Sequence, residues 1–493
     1  MEQNQNIKKK GWVNWILFFA TIIIVFLLGM LANSVTQRRT EARLVNTPKV
    51  QIKDYEPRNK IWGENYPREY QSYLLTADTG FRSMFNGSGL TDMLELNPKM
   101  VILWAGYAFS KDYNQPRGHY YAVNDVRMTL RTGSPLKPDE GPQPSTCWAC
   151  KSPDVPRMMN EVGISDFYKA KWAFYGPEIH NPIGCADCHD PKTMKLRISR
   201  PALIEAFQAM GKDINKVSHN EMRSLVCAQC HVEYYFKGDG KYLTFPWEKG
   251  TTVEKIEEYY DSYQFKDWEH ALSKAPMLKA QHPDYELFTM GIHAERGVSC
   301  ADCHMPYISE GGQKYTNHHI QSPLNNINAS CQVCHRESEQ TLVKNVYDRQ
   351  IKNAELREKA EQLLVKAHVE AKAAWDAGAT ETDMKDILQL IRQAQWRWDF
   401  AVAGHGSSFH APVEVARILG NSIERVQEAR VMLAKLHAKL GIKEVKYPDI
   451  STKDKAQAYI GLDMKKLKEE KEVFVKTVLP EWDKKAEERE SKW

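Results

Sequence analysis

The stretch Cys147-Trp148-Ala149-Cys150-Lys151 nearly repeats a motif that occurs four more times in this chain, and it departs from that motif only at Lys151. In each of the other copies a histidine follows the second cysteine: Cys185-Ala186-Asp187-Cys188-His189, Cys227-Ala228-Gln229-Cys230-His231, Cys300-Ala301-Asp302-Cys303-His304 and Cys331-Gln332-Val333-Cys334-His335. Together the five copies use all 10 cysteines. The organisation of the chain therefore depends on what these five short motifs bind.

The C-x-x-C-H motif is typical of c-type haem attachment, in which two thiols bond to the haem vinyl groups and the adjacent histidine ligates the iron. Five motifs predict five covalently bound haems c. Histidine is 16 of 493 residues, so its chance placement after four of five cysteine pairs has odds on the order of one in 10⁵ to 10⁶. A zinc ribbon or a disulfide framework explains the histidines poorly, because neither needs one at this fixed offset.

The lysine in the first motif predicts one haem that differs from the other four. Its amine must lose a proton to ligate iron, against an ordinary pKa of about 10.4, and a bound metal ion can drive that loss. Two histidines fill both axial positions of an iron and suit electron transfer, whereas an unusual ligand suggests that the other face is kept for substrate. The alternative is a solvated Lys151 whose haem takes a histidine from elsewhere in the chain.

Several longer stretches accompany the motifs: RGHYYAV, LRTGSP, CWACKSPDV, CHVEYYF, PMLKAQHP, QWRWD and HAP. With them, the chain from about residue 55 to 485 resembles the pentahaem cytochrome c nitrite reductases, an ammonia-forming family with one C-x-x-C-K and four C-x-x-C-H motifs. The resemblance implies a mainly α multihaem c-type cytochrome with little β structure and long C-terminal helices. It also implies six-electron reduction of nitrite to ammonium at a lysine-ligated haem, which four bis-histidine haems supply with electrons.

The second axial ligands of those four haems cannot be chosen from spacing, because 12 of the 16 histidines lie outside the motifs. The resemblance supplies candidates for the distal ligands: His119 in RGHYY, His293 in GIHAE, His318 in YTNHH and His410 in HAP. Two near neighbours, His319 and His405, are the alternatives for the last two positions.

The substrate pocket of the family is similar to Arg131 in LRTG, Tyr234 in VEYYF and His282 in KAQHP. Nitrite is an anion, so Arg131 and a protonated His282 would attract it and hydrogen-bond its oxygens. Each N–O cleavage also needs an acid nearby, a role that suits His282 and Tyr234. Core packing, the alternative role of Tyr234, is assigned to its neighbour Tyr235. With Lys151, these three residues form the predicted catalytic set.

A calcium site is implied by the same two segments. Glu233 and Gln281 supply the hard oxygen ligands that calcium prefers. In the resembling family, main-chain oxygens also hold the ion, and here they would belong to Tyr234 and Lys279. Without the resemblance, Glu233 would be interpreted as an ordinary solvated or ion-paired glutamate.

The segment from Trp12 to Ala32 is almost entirely apolar and follows Lys8, Lys9 and Lys10. This pattern predicts export, with the basic end kept in the cytoplasm. Its length exceeds the usual core of roughly 7–15 residues in a signal peptide and approaches the roughly 20 that span a bilayer. An uncleaved anchor is therefore favoured over a cleaved signal peptide, with a buried core helix third. Both favoured hypotheses place the protein on the periplasmic side of the cytoplasmic membrane.

Three regions follow from these patterns. Residues 1–40 form the signal or anchor helix and the start of a polar linker, which extends from Arg38 to Pro57. Residues 41–335 form the catalytic region that binds the five haems. Residues 336–493 form long helices that pack on the haems and, in the resembling family, mediate homodimerisation.

Helical periodicity predicts three long helices after the last motif. The first runs to about Trp375, the second opens with a capping box of Thr380 and Asp383, and the third spans Val413 to Leu440. Further along, the charge run from Lys465 to Lys471 is predicted to be a solvated face.

Composition excludes little: 26% charged and 42% hydrophobic residues describe an ordinary globular protein, and the formal charge of +4 would be offset by haem propionates. Nothing supports nucleic-acid binding.

The expected partners are nitrite, a membrane-anchored multihaem quinol dehydrogenase or a soluble cytochrome as electron donor, and a second copy of the chain. Two other functions stay open: a pure electron-transfer cytochrome, and a reductase that acts mainly on hydroxylamine or sulfite.

Overall fold

The computed structural model describes residues 2–45 and 48–492, with side chains at 11–39 and 48–492. Helices make up 59% of the chain and strands 6%. The predicted class, a mainly α multihaem cytochrome with little β structure, is confirmed.

The N-terminal helix α1 spans Glu2–Val45. Its apolar part, Gly11–Arg39, has a mean hydropathy of 2.7 and buries nothing against the rest of the protein. The predicted linker is wrong for residues 38–45, which continue the helix because arginine, glutamate, alanine and leucine dominate there and favour helix. Residues 46 and 47 of that linker, and the side chains of Lys8, Lys9 and Lys10, lie outside the described residues.

Residues 48–335 form short helices separated by loops, because glycine and proline recur at intervals too short for long helices. These helices are α2 (Asn59–Asn65), α3 (Pro67–Leu74), α4 (Met93–Leu96), α5 (Lys99–Leu103), α6 (Ala122–Met128), α7 (Asp154–Val162), α8 (Ile164–Lys169), α9 (Cys185–Cys188), α10 (Pro201–Ala209), α11 (His219–Ala228), α12 (Val253–Ser262), α13 (Asp284–Thr289), α14 (Ile292–Glu295), α15 (Cys300–His304) and α16 (Ile327–Ser330). Single 3-10 turns at Leu130–Thr132 and Ser145–Trp148 carry two of the predicted site segments.

The strands pair only with their nearest neighbours, as antiparallel two-stranded ribbons. The pairs are β1 (Thr91–Asp92) with β2 (Asn114–Gln115), β3 (Tyr235–Lys237) with β4 (Tyr242–Thr244), β5 (Trp268–Glu269) with β6 (Pro276–Met277), and β7 (Tyr307–Glu310) with β8 (Gln313–Thr316). Since each ribbon is small, the sheets position loops and do not build the core.

The C-terminal region confirms the three predicted long helices. Its helices are α17 (Glu339–Asp376), α18 (Glu381–Ala403), α19 (Ser407–His410), α20 (Pro412–Lys439), α21 (Lys453–Tyr459), α22 (Met464–Thr477) and α23 (Leu479–Glu490). The predicted capping box is present, because Thr380 Oγ1 accepts from Asp383 N and the Asp383 carboxylate accepts from Thr380 N. The expected solvated face is wrong at Lys471, which is only 5% exposed. Its side chain shares the inner face of α22 with Leu467 and Phe474, at helical spacing.

One hydrophobic core extends from the haem-motif region into the C-terminal helices, from Leu94 to Trp482. The largest fully buried side chains of the protein are tryptophans. Six of them lie in this core: Trp104, Trp148, Trp172, Trp247, Trp396 and Trp398. Trp62 lies in a small separate cluster. Trp148 belongs to the first cysteine motif, and its ring stacks on Trp172 with centres 4.8 Å apart. This packing fixes the unusual motif against the rigid part of the molecule.

Candidate functional site

A continuous cavity of about 2030 Å³ runs through the middle of the motif region. Its wall contains every motif cysteine except Cys334, which is exposed at the surface. None of the ten cysteines, all of which are described, forms a disulfide. The disulfide interpretation of the motifs is therefore excluded, and their thiols line a space of the size that flat, apolar cofactors need.

The residues between the cysteines shape the motifs locally. In two copies the residue before the second cysteine is an aspartate that caps its own short helix: Asp187 accepts from Gly184 N at 2.8 Å, and Asp302 accepts from Ser299 N at 2.8 Å. Residues three apart on a helical turn lie on the same side of it. The turn therefore points both thiols of a motif toward one side, where the cavity lies.

Each of the four motif histidines faces a second imidazole. The ring centres are 6.3 Å apart for His231 and His119, 6.2 Å for His189 and His318, 6.2 Å for His304 and His410, and 6.3 Å for His335 and His293. Two imidazoles bonded to one metal ion at roughly 2 Å each would have ring centres roughly 6 Å apart. The near-identical spacing of four pairs, drawn from separate parts of the chain, fits one iron between each pair.

Hydrogen bonds at the other ring nitrogen orient several of these imidazoles. Nδ1 donates to a main-chain carbonyl at 2.9 Å in His189 and in His304, and at 2.8 Å in His318. A donating Nδ1–H leaves Nε2 with the free lone pair that binds a metal ion. Sequence reasoning had no means of finding these carbonyls, which belong to Met194, Gln321 and Thr316.

His231 is oriented by a carboxylate instead. Its Nδ1 lies 3.6 Å from Asp284 Oδ2, and although burial lowers the pKa of His231, the hydrogen bond and charge of Asp284 raise it overall. Burial also opposes ionisation of Asp284, but the bond to His231 holds the pKa of this carboxyl at about 2. His231 has a second ring neighbour, His282, at 6.5 Å, so its spacing alone does not select His119 as its partner.

The two alternative histidines behave differently from the predicted ligands. His319 and His405 both line the cavity, but among the described residues neither ring forms a ring contact with a motif histidine. His318 and His410, in contrast, each lie 6.2 Å from a motif imidazole. Ring spacing thus distinguishes candidates that sequence spacing left equivalent.

Lys151 lies in the cavity wall beside Cys147 and Cys150 and is only partly exposed. Its Nζ makes no hydrogen bond or ion pair with any side chain described in residues 11–39 and 48–492. The charge of Lys151 nevertheless acts on the cavity, since after burial it is the largest factor that lowers the pKa of His282. Lys151 and His282 are therefore neighbours in the cavity, although 130 positions separate them in the chain.

Arg131 lies on the 3-10 turn Leu130–Thr132. Its Nε donates to Thr129 Oγ1 at 3.2 Å, and its guanidinium carbon lies 4.3 Å from the centre of the Phe109 ring. Gln143 Nε2 donates to the Arg131 carbonyl at 3.1 Å. Within the part of the chain whose side chains are described, both Nη atoms lack a hydrogen-bond partner, so they are available to bind an anion.

Tyr234 and Tyr235 both reach the cavity wall, and Tyr235 belongs to the hydrophobic core, as the sequence predicts. Tyr235 is buried against Tyr260 and Phe265, with ring centres 5.3 and 4.7 Å away. Tyr234 lines the cavity and stacks on Phe236. Burial, together with the nearby Cys150 thiol, raises the pKa of Tyr234 well above 10. The phenol therefore keeps its proton and is available as a donor.

His282 lines the same cavity, where its surroundings influence its charge state. Burial, followed by the charge of Lys151, lowers the pKa of His282 well below 6.5. Burial and this neighbouring charge favour the neutral imidazole before an anion binds, and the expected protonation of His282 stays a prediction. An anion beside the ring would favour protonation, because an opposite charge stabilises the charged form.

Glu233 is fully buried beside Gln281 and is not a solvated residue. Its Oε2 accepts from Gln281 N at 2.6 Å and its Oε1 from Tyr260 OH at 2.8 Å, so both donors are neutral. Burial raises the pKa of Glu233 well above 4.5. The side chain of Lys279 is 2.8 Å from Asp399 and does not neutralise Glu233.

The described residues contain no group of three or more His, Cys, Asp or Glu side chains arranged to hold a metal ion. A cation bound at Glu233 would thus depend on amide and main-chain oxygens, which are acceptable ligands for calcium. Gln281 Nε2 donates to the Lys279 carbonyl at 3.2 Å, so two of the predicted ligands already lie together. The donor set fits calcium better than zinc, which prefers nitrogen and sulfur.

A buried arginine that sequence reasoning missed connects three motifs. Arg200 donates through Nε to the Ala149 carbonyl at 2.7 Å, and through Nη2 to the Ser152 carbonyl at 2.8 Å and Asp187 Oδ1 at 2.5 Å. Gln229 of the third motif donates to the Asp187 carbonyl at 2.9 Å. The motifs that begin at positions 147, 185 and 227 are therefore held in one hydrogen-bond network.

Comparison with known proteins identifies close relatives along nearly the whole chain. Residues 58–491 match the cytochrome c552 family. A cytochrome c-552 from Parabacteroides distasonis is 63% identical over 483 residues, which are 98% of each chain. A second from Bacteroides fragilis is 60% identical over 481 residues, which are 97% of this chain and 98% of the relative.

Among solved structures, a cytochrome c nitrite reductase from Desulfovibrio desulfuricans superposes with a TM-score of 0.74 at 31% identity. The match covers 85% of this chain and 91% of that one. That structure is described for two calcium sites in its catalytic subunit.

Proposed function

The chain belongs to the cytochrome c552 family, and from that premise we propose that it reduces nitrite to ammonium at a haem ligated by Lys151. One observation carries the proposal. Four motif histidines have a partner imidazole 6.2–6.3 Å away, whereas the fifth motif places a lysine, Lys151, in a cavity wall that also contains Arg131, Tyr234 and His282. One position of five is thus built differently from the rest.

The other four positions hold bis-histidine haems that carry electrons, so the protein binds five haems c in all. The imidazole pairs that would hold the four irons are His231 with His119, His189 with His318, His304 with His410, and His335 with His293. Two protein ligands on one iron leave no position for substrate, which suits electron transfer.

Contacts between motifs support a continuous route to the Lys151 haem. The thiols of Cys150 and Cys230 influence each other's pKa, as do those of Cys227 and Cys300, so the cysteines of each pair are close neighbours in the cavity wall. The third motif therefore lies next to both the first and the fourth. Electrons that arrive at the fourth or fifth haem would pass through the third to the first.

Binding of nitrite follows from the charges in the pocket. When bound, the Lys151 haem supplies an iron that accepts the nitrogen lone pair of nitrite and delivers electrons to it. Arg131 directs its two unpartnered Nη atoms at the anion, since a guanidinium recognises paired oxygens with parallel hydrogen bonds. The stacking of Arg131 on Phe109 fixes the plane of those donors.

Protons are the second requirement, because six-electron reduction of nitrite to ammonium consumes eight of them and releases two waters. His282 is neutral before the anion binds, and the anion raises its proton affinity, so the ring takes up a proton when one is needed. Tyr234 keeps its phenolic proton and donates a hydrogen bond to an oxygen that is about to leave.

Calcium at Glu233 holds these pocket residues in place in our proposal. The ligands are Glu233, Gln281 and the main-chain oxygens of Tyr234 and Lys279. A divalent cation compensates the buried carboxylate, whose present partners are neutral donors. Because Tyr234 follows Glu233 and His282 follows Gln281, ion binding stiffens both pocket segments at once.

The location, the electron donor and the oligomeric state of the enzyme also belong to the proposal. An apolar α1 with nothing buried fits an exported protein held on the periplasmic side of the cytoplasmic membrane. The electron donor is then a membrane-anchored multihaem quinol dehydrogenase or a soluble cytochrome. The long helix α17 provides a surface for homodimerisation.

The test is nitrite-dependent oxidation of the reduced holoprotein, with ammonium and covalent haem measured on the same sample. We expect five haems per chain and ammonium in proportion to the nitrite consumed. No nitrite-dependent oxidation, together with two protein ligands on the iron at Lys151, would establish an electron-transfer cytochrome instead, and oxidation without ammonium would indicate a different reduced product of nitrite. The same assay with hydroxylamine and with sulfite ranks these substrates against nitrite.

A further inference from the structure

The turn that carries Arg131 is held at both ends by charged side chains from distant parts of the chain. Residues 129–133, here called the Arg131 turn, comprise Thr129, the 3-10 helix Leu130–Thr132 and Gly133, whose φ is +73°. One holder, Asp112, lies in the loop before β2. The other, Lys471, lies on the C-terminal helix α22, more than 330 residues away in sequence.

Asp112 holds the first half of the turn. Its Oδ2 accepts from Thr129 Oγ1 at 2.9 Å and from Leu130 N at 2.9 Å. Thr129 Oγ1 in turn accepts from Arg131 Nε at 3.2 Å. A short relay of hydrogen bonds thus joins the carboxylate of Asp112 to the guanidinium of Arg131 and leaves both Nη atoms free.

Lys471 holds the second half. Its Nζ donates to the Gly133 carbonyl at 2.8 Å and to Thr132 Oγ1 at 3.1 Å. Thr132 Oγ1 also donates to the Thr129 carbonyl at 2.9 Å, which closes the turn on itself. Lys471 and Asp112 therefore act on neighbouring groups of the same five residues.

The burial of Lys471 requires an explanation, because a lysine is almost never fully buried unless it is paired. Lys471 is 5% exposed and its Nζ lies 4.6 Å from the centre of the Phe474 ring, and burial lowers the pKa of Lys471 to about 7. Lys468, one turn earlier on the same helix, is exposed. The hydrogen bonds of Lys471 to the Arg131 turn are the interactions that offset its loss of hydration.

We propose that Lys471 and Asp112 are positioning residues that fix the Arg131 turn and thereby aim the Nη atoms of Arg131 at the substrate anion. This inference rests on the proposed function, in which Arg131 binds nitrite. Neither residue touches the substrate in this scheme. Their removal affects an anionic substrate more than a substrate without negative charge at the same iron.

The test compares nitrite with hydroxylamine, which carries no negative charge, on four variants of the full-length holoprotein. Lys471→Met removes the donor and keeps the length of the side chain, and Lys468→Met is its matched control on the exposed face of α22. Thr132→Val removes the hydroxyl that accepts from Lys471, and Thr132→Ser keeps it.

We expect Lys471→Met to raise KM for nitrite about tenfold and to leave kcat/KM for hydroxylamine within about twofold. Thr132→Val should behave like Lys471→Met, and Thr132→Ser and Lys468→Met like wild type. Because Lys471 and Thr132 share one hydrogen bond and act on the same turn, the loss in the double variant should be smaller than the sum of the two single losses. Equal losses on both substrates, or equal effects of Lys471→Met and Lys468→Met, would overturn the proposal.

Hydrogen exchange of the peptide that contains residues 129–133 separates this inference from the proposed function. We expect faster exchange in Lys471→Met than in wild type and no change in Lys468→Met, whatever the enzyme reduces. Unchanged exchange in Lys471→Met would refute the positioning role. A wild-type protein that forms no ammonium from nitrite would instead refute the proposed function.

Discussion

Lys151 differs from the motif histidines in the kind of donor that it offers a metal ion. A primary amine on a four-carbon stem is a σ donor without a ring, whereas imidazole adds π character and a rigid plane. The Lys151 motif is also anchored unusually well, by the stacked Trp148 and by Arg200. The identity of this one ligand should therefore change reactivity more than it changes folding.

Replacing Lys151 with histidine should leave all five haems attached, because the cysteines that hold them are unchanged. We expect nitrite still to bind beside Arg131 and His282, while ammonium formation per haem falls at least about tenfold, since binding and N–O cleavage need different electron density at iron. The measurement is steady-state ammonium formation, together with a spectrum of the ferric protein. Lys169→His, at an exposed lysine, is the control.

Wild-type turnover in a fully loaded Lys151→His protein would show that Lys151 is a bystander. A histidine from elsewhere in the chain would then have to be found on that iron.

Sequence patterns predict residues whose role depends on their neighbours along the chain. They do not predict residues that reach the site only through the fold. The C-x-x-C-H motif predicts four iron ligands by offset alone, and each of these histidines lies 6.2–6.3 Å from a second imidazole. Asp284, which orients His231, and Arg200, which connects three motifs, carry no such pattern. The protonation of His282 stays a prediction, because the burial that favours its neutral form depends on neighbours that sequence patterns do not locate.

At the level of elements, the helices that could be predicted were those with local signals at their ends. The capping box of Thr380 and Asp383 predicts the start of α18. Helices α17 and α20 have apolar residues at helical spacing over many turns. Helix α22 was interpreted as a solvated charge run, because lysines and glutamates dominate its sequence. The spacing of Leu467, Lys471 and Phe474 was the available signal that Lys471 faces inward.

The segment Ser199–Arg200, just before α10, is the element that we expect to be most sensitive to substitution. Arg200→Met would leave Asp187 buried without its partner, a change that typically costs about 3–5 kcal/mol. We expect a clearly lower Tm for the holoprotein with all haems still attached. Lys195→Met, at an exposed position of the same loop, should leave Tm unchanged, and an equal Tm for both variants would contradict the role of Arg200.

For the whole molecule, α1 is the element from which we predict attachment to a membrane. Its apolar part is 29 residues long and entirely unburied, which is enough to span a bilayer. We expect the full-length protein in the membrane fraction, released by detergent and not by high salt. A chain exported by a different, cleavable signal peptide in place of residues 1–47 should be soluble and active.

Complete recovery of the full-length protein in the soluble fraction, with a new N-terminus near Asn33, would contradict the anchor. The signal-peptide interpretation would then stand.

The cavity at the centre of the protein has a consequence for biogenesis. If a space of about 2030 Å³ stayed dry and unfilled, it would cost up to roughly 50 kcal/mol, several times the stability of roughly 5–15 kcal/mol that folded domains possess. Covalent attachment of haem at the cysteine pairs would fill this space with apolar surface and remove that cost. We therefore expect the compact state to form together with attachment and not before it. A chain that misses one attachment should be less stable and more readily degraded.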